Sequence, residues 1–160
     1  MSNVTSYLVE QHEGELRCVG GTCTWFKATG DLTGGKFALV EEHAARGEGA
    51  PLHRHREDDE SFYVLEGEIT FFIEDGVGAR RGAGTFVHVP GGTIHGFRVE
   101  SANARYLILT TVRHGEFYRA MSRAVGSPGD PFEEVTGEEI GKACEDFGIE
   151  FVGPLPDAVT

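Results

Sequence analysis

With 160 residues and a formal net charge of −12, the chain fits one domain whose core is large enough to fold unaided, and its negative field would repel phosphate backbones and anionic membranes. No stretch approaches the roughly 18 apolar residues of a membrane span, and the opening "MSNVTSYLVEQHEGE" lacks the basic-then-apolar pattern of a signal peptide. Nucleic acid and membrane are therefore not expected as partners, a cytoplasmic location is expected, and the three cysteines, Cys18, Cys23 and Cys144, without zinc-knuckle spacing, are expected to be reduced structural thiols.

In chain order, short runs rich in Val, Ile, Phe, Tyr and Thr follow one another: "TCTWFKAT", "KFALVEEHA", "SFYVLEG", "EITFFIE", "TFVHVP", "HGFRVE" and "RYLILTTV". Glycine signals punctuate them, at 20–21, 34–35, 66–68, 75–78, 82–84 and 90–92. Short strands at regular spacing with turns between them predict an all-β sandwich or barrel, with Trp25 in its packing. After residue 113 the texture changes. "GEFYRAMSRAVG" places Phe117, Met121, Ala124 and Val125 at helical spacing and ends on Gly126. A "SPGDP" break follows, and "TGEEIGKACEDFG" opens with the capping-box spacing of Thr136 and Glu139 and closes on Gly148. The expected division is a β core over residues 1–113 and a helical extension over 114–160 packed on it.

One stretch is unusually polar. "GEGAPLHRHREDDESFYVLEG", residues 47–67, carries two histidines, two arginines and six carboxylates, and runs straight into a strand. His53 and His55, two apart on an extended strand, leave the same face with Cα atoms roughly 6.5 Å apart, close enough for both imidazoles to reach one metal. Glu60 follows at an odd offset, so the "REDD" between must form a corner if the carboxylate is to join them. Beyond it Glu60, Phe62 and Val64 share a face. Tyr63 should point away. In "GTFVHVPGGTIHGFRVE", residues 84–100, His95 shares a face with Phe97 and Val99, a buried polar group that needs a partner. Arg54, Arg56, Glu57, Asp58 and Asp59 are expected to form a solvated corner. His12, His43 and His114 are expected to face solvent and His88 to be structural, while the faces of Phe72 and Tyr106 are open.

These two stretches, Gly47, His53, His55, Glu60 and Gly67, then Gly84, Pro90, Gly92 and His95, stand at the spacings of the two motifs of the cupin superfamily, 16 residues apart, and the chain resembles that family. The resemblance implies a double-stranded β-helix, the jelly-roll barrel, with His53, His55, Glu60 and His95 as ligands of one divalent transition metal. Val99 stands where the second motif usually closes on asparagine, which touches the surroundings of His95 rather than a ligand. A mixed N/O ligand set suits Fe, Ni or Mn, with Zn, Co or Cu also compatible, and leaves two positions on an octahedral ion. Phe62, Val64, Phe97 and Val99 would line an apolar substrate site. The run "HRHREDDESFYVLEGEITF" is similar to bacterial cupins of the quercetin dioxygenase kind, which implies ring cleavage of a flavonol-like enol bound as its enolate, with Glu60 as ligand and general base. Two alternatives stand beside this: a redox-neutral isomerase, cyclase or lyase, and a non-catalytic binding module. A homodimer is expected, meeting through residues 1–30 or the helical extension.

Overall fold

The computed structural model describes residues 4–74 and 77–157. The turn expected at 75–78 lies partly outside them. Among the described residues the strands are β1 (Glu15–Val19), β2 (Thr22–Ala28), β3 (Ala38–Ala45), β4 (Gly49–His55), β5 (Glu60–Glu66), β6 (Ile69–Ile73), β7 (Gly78–Arg81), β8 (Phe86–Val89), β9 (His95–Val99), β10 (Asn103–Thr110), β11 (Arg123–Ala124) and β12 (Ile149–Gly153). Three helices join them, α1 (Gly30–Thr33), α2 (Val112–Ala120) and α3 (Gly137–Asp146).

The strands form two antiparallel sheets. The larger runs β11-β1-β2-β3-β10-β5-β8 and the smaller β12-β4-β9-β6-β7. On β5 and β10 buried residues alternate with more exposed ones, as a sheet half-buried on one face requires. On β5, Phe62 and Val64 are buried while Tyr63 is exposed, as its position in the alternation predicts. The inward residues of both sheets meet in one core containing Phe26, Val40, Phe62, Val64, Phe71, Phe97, Val99, Tyr106 and Ile108. Aromatic rings hold its centre: Phe62 meets Phe71 and Phe97 edge to face at 5.4 and 5.3 Å, and Phe97 meets Tyr106 at 5.6 Å, separations at which such pairs attract. The two undecided faces are thereby settled. Tyr106 points inward, and Phe72 lies on the outer face with the Arg98 guanidinium 5.8 Å from its ring. Trp25 packs with Leu16 and Cys18 in a smaller cluster, a core role as expected.

Three expectations need correction. Cys18 and Cys23 are joined in a disulfide rather than reduced. The Gly20-Gly21 turn folds β1 back on β2 so that the two cysteines are direct cross-strand partners, with Cα atoms 4.2 Å apart. Such bonds belong mainly to oxidising compartments, so the cysteines lend no support to the expected cytoplasmic location. Cys144 is free.

The helix expected to run to Gly126 is shorter and begins earlier. Thr111 caps α2 by accepting the His114 N–H at 3.1 Å. It stops at Ala120 because Arg17 donates to the Ser122 carbonyl and hydroxyl at 2.7 and 3.0 Å, pulling the next residues into β11 beside β1. Finally, the extension is not helical throughout. The capping box of Thr136 and Glu139 starts α3 as expected, and Gly148 turns the chain with φ of 69°, but the chain then pairs β12 with β4. The pairing is fixed by Glu150, which accepts from Arg54 and Arg56 at 2.6 and 2.8 Å, and by Ile149, which packs with Phe117 and Ala143.

Candidate metal centre

Strands of both sheets and one corner build the site. His53 and His55 stand on β4, and His95 stands on β9 directly opposite His53. Glu60 opens β5 in the other sheet. Residues 56–59 carry the chain across from one sheet to the other, so an offset that would send Glu60 outward on a straight strand instead turns it to face the histidines. Hydrogen bonds hold that corner. The Asp59 carbonyl accepts from Thr110 Oγ1 at 2.6 Å, Asp59 Oδ1 accepts the Gly91 N–H at 2.8 Å, and Asp58 Oδ1 accepts from Thr111 Oγ1 at 2.7 Å. The corner is therefore only partly solvated. Asp58 is buried as the anchor of the α2 cap, a correction to its expected exposure, while Arg54 and Arg56 are the exposed partners of Glu150.

One ligand atom from each of His53, His55, Glu60 and His95 lies within 4.8 Å of the others, a group that could hold a metal ion. His53 Nε2 is 3.1 Å from His55 Nε2, and Glu60 Oε2 is 3.0 Å from His95 Nε2 and 3.6 Å from His55 Nε2. His55, Glu60 and His95 are buried, whereas His53 is half-buried and gives the group its side toward solvent. Backbone carbonyls orient two of the rings. His53 Nδ1–H donates to the Pro51 carbonyl at 2.7 Å and His95 Nδ1–H to that of Thr93 at 2.9 Å. Each bond fixes the ring so that Nε2 points at the common centre, the arrangement usual for metal-ligating histidine.

Protonation favours the same reading. Burial, helped by the neighbouring His95, pushes His53 down to about 4, and burial also pushes His55 down to about 3 against the opposing pull of Glu60. Both imidazoles are thus neutral near pH 7 with lone pairs available. Burial alone would raise the Glu60 carboxyl, but His114, His95 and His55 around it outweigh burial and hold it well below its ordinary range. Burial lowers His95, and its bond to Glu60 more than restores it. Neutral His53 and His55, with His95 and the Glu60 carboxylate beside them, form a donor set that could hold a divalent cation.

Two residues of α2 went unrecognised in the sequence. His114, expected to face solvent, is 1 % exposed. Its ring lies 4.0 Å from that of His55 and stacks on Phe117, and its Nε2 is 3.4 Å from Glu60 Oε1. One turn later Tyr118 donates its O–H to the same Oε1. His114 and Tyr118 stand at i and i+4 and so share one helix face once α2 has formed. Deeper in the barrel a second buried carboxylate, Glu42, accepts from Tyr106 Oη at 2.7 Å and from Thr24 Oγ1 at 3.2 Å. Burial, with Glu60 adding to it, raises Glu42 to about 7 despite those hydrogen bonds.

The apolar residues expected as substrate contacts, Phe62, Val64, Phe97 and Val99, are 0–7 % exposed and packed against one another in the barrel core. They form the layer next to Glu60 and His95 along their strands. Two surface concavities of about 260 and 350 Å³, one beside His43 and Arg105 and one between β7 and β8, involve none of the four clustered residues.

Residues 40–110, from β3 to the end of β10, match the cupin domain family, and this span holds all four converging side chains. The chain belongs to the cupin superfamily. This cupin is 30% identical over 128 residues to quercetin 2,3-dioxygenase of Bacillus subtilis (strain 168), an alignment that covers 79% of the chain and 36% of that protein. The cupin thus spans little more than a third of its curated relative's length. Its fold is similar to KdgF from Halomonas sp., with a TM-score of 0.59 at 22% identity over 67% of this chain and 94% of that one. It also resembles a sugar phosphate isomerase of the cupin superfamily from Silicibacter pomeroyi, with a TM-score of 0.50 at 25% identity over 57% and 59% of the two chains. Among the described residues no helix is long and apolar enough to cross a membrane.

Proposed function

We propose that this cupin holds one divalent transition metal between His53, His55, Glu60 and His95 and acts as a dioxygenase on an aromatic or enol-bearing small molecule, flavonol-like in type, bound as its enolate. The observation that carries the reading is the convergence of three imidazole nitrogens and Glu60 Oε2 on one centre, with His53 and His55 neutral. The reaction type draws on the likeness to quercetin 2,3-dioxygenase. Fe, Ni or Mn suit the donor set. When bound, the ion supplies Lewis-acid and template chemistry. The chain's own groups do the rest. His53 and His95, fixed through their Nδ1–H bonds, keep the donor geometry rigid. Glu60 is ionised and takes the substrate hydroxyl proton, a transfer typically worth about 10²- to 10⁴-fold. Substrate arrives past half-buried His53, because Phe62 and Phe97 already fill the barrel on the other side. The working unit is a homodimer joined through the N-terminal segment, where Val4, Tyr7 and Leu8 are exposed, and a monodisperse monomer by light scattering would exclude it.

Elemental analysis of the purified protein beside a His53→Ala/His95→Ala variant tests the metal reading. About one equivalent of metal, lost in the variant, supports it, and oxygen uptake with flavonols or simple enols then supports the reaction. No metal, and none taken up on reconstitution, would overturn both. A redox-neutral isomerase or lyase is the second reading, favoured by the likeness to the sugar phosphate isomerase. Turnover of an enolisable ketone under strict exclusion of oxygen would select it.

A further inference from the structure

The Glu60 carboxylate is divided between two sets of partners. Its Oε2 faces His95 at 3.0 Å and His55 at 3.6 Å, while its Oε1 accepts the Tyr118 O–H and lies 3.4 Å from His114 Nε2. The second set comes entirely from α2, outside residues 40–110 of the matched domain. Nothing about this contact is loose. Tyr118 is partly buried against the barrel core, its backbone carbonyl accepts from Ser122 Oγ at 2.6 Å, and His114 Nε2 stands 3.3 Å from its hydroxyl. The helix itself is pinned at its start, where Thr111 both caps it and donates to Asp58 on the corner that leads into Glu60.

A carboxylate can ligate through one oxygen or both. An oxygen that accepts a phenol hydrogen bond from a fixed helix is turned away from the centre where the imidazoles meet, and only the other remains to serve an ion. We infer that Tyr118 is a positioning residue that holds Glu60 as a single-oxygen ligand through Oε2, with His114 packed behind the pair to keep the phenol in place. The extension after the barrel therefore sets the coordination of a site whose ligands all belong to the barrel. The inference rests on the metal reading above.

The test uses Co(II) as the probe, because its visible absorption bands report coordination number directly. Wild-type protein and Tyr118→Phe are freed of metal, checked for native circular dichroism, and titrated with Co(II) against a chromophoric chelator. The expected result is one Co(II) in each, bound about 10- to 100-fold more weakly in the variant, the range typical when a partner of a metal ligand is removed. Its absorption bands should also change in position or intensity as Oε1 becomes free to ligate. Co(II) bands identical to those of the wild type would overturn the inference, whatever the activity. Failure of the wild type to bind Co(II) is a different result, since it removes the metal reading itself. If Tyr118→Phe does not fold, the unaltered protein serves, labelled with ¹³C at the tyrosine Cζ, with Tyr118 assigned as the resonance that survives in each of Tyr7→Phe, Tyr63→Phe and Tyr106→Phe. The Tyr118 resonance should move on addition of Zn(II), and a Tyr118 signal indifferent to Zn(II) would equally overturn the inference.

Discussion

Two buried carboxylates a short way apart in one barrel are driven to opposite protonation states. Glu60 is surrounded by imidazoles and stays ionised, while Glu42 has only two hydroxyl donors, Tyr106 and Thr24, against the loss of water around it. Burial therefore wins at Glu42 and raises it from 4.5 to about 7. Unfolded, Glu42 releases its proton near 4.5, whereas folded it keeps the proton to about 7. Between those values the folded chain binds more protons, so stability is fully present below about 4.5 and falls as pH rises through 7, by up to roughly 3 kcal/mol. Glu42→Gln keeps an acceptor for Tyr106 and carries no charge. Urea denaturation at pH 5 and pH 8 should show the variant gaining stability over the wild type at pH 8 and losing most of the difference between the two pH values. An unchanged slope in the variant would place the titration elsewhere.

At the scale of the strand, the close approach of β4 to β9 decides where the histidines stand. Gly49 at the start of β4 has φ of 153°, and a Cβ there would lie 2.0 Å from the Phe97 carbonyl oxygen. Gly49→Ala must therefore separate the strands that carry His53 and His95. A loss of about 1–3 kcal/mol in thermal or urea unfolding is expected, together with weaker metal retention, and a variant as stable as the wild type would show that β4 can slide without harm.

The strands themselves were legible, because alternation on β5 and β9 settles which side chains point inward and the glycine signals settle where strands end. Alternation put His53 and His55 on one face, while the resemblance to the two cupin motifs was what joined Glu60 and His95 to them. His114 was not, since its neighbours Arg113 and Glu116 are charged and only the helix, once formed, turns one face of it into the barrel. Nor was β12 legible: "IEFVG" is a brief stretch, and its pairing depends on Arg54 and Arg56 far away in the sequence. The cross-strand disulfide needed the register of the hairpin, and cysteine spacing alone does not carry it.

For the molecule as a whole, the segment that follows the barrel is a working part of it. β12 lies along β4 with Ile149 opposite His55 and Phe151 opposite His53. Removing residues 149–160 would leave β4 an edge strand, with unpaired backbone groups at the positions of His53 and His55. The truncated protein should keep its β-sheet circular dichroism and yet bind metal at least about 10-fold more weakly, as read by chelator competition. Equal affinity would show that β9 alone is enough to order β4. The same pairing has a consequence for how the protein matures. Arg54 and its partner Glu150 are 96 residues apart, so at about 5–20 residues per second the histidine strand waits on the order of 5–20 s for its neighbour to leave the ribosome. A nascent chain exposes two imidazoles through that whole interval without the strand that aligns them. On the proposed metal reading, loading then belongs to the finished polypeptide, and the ion taken would depend on what the surrounding compartment offers at that moment.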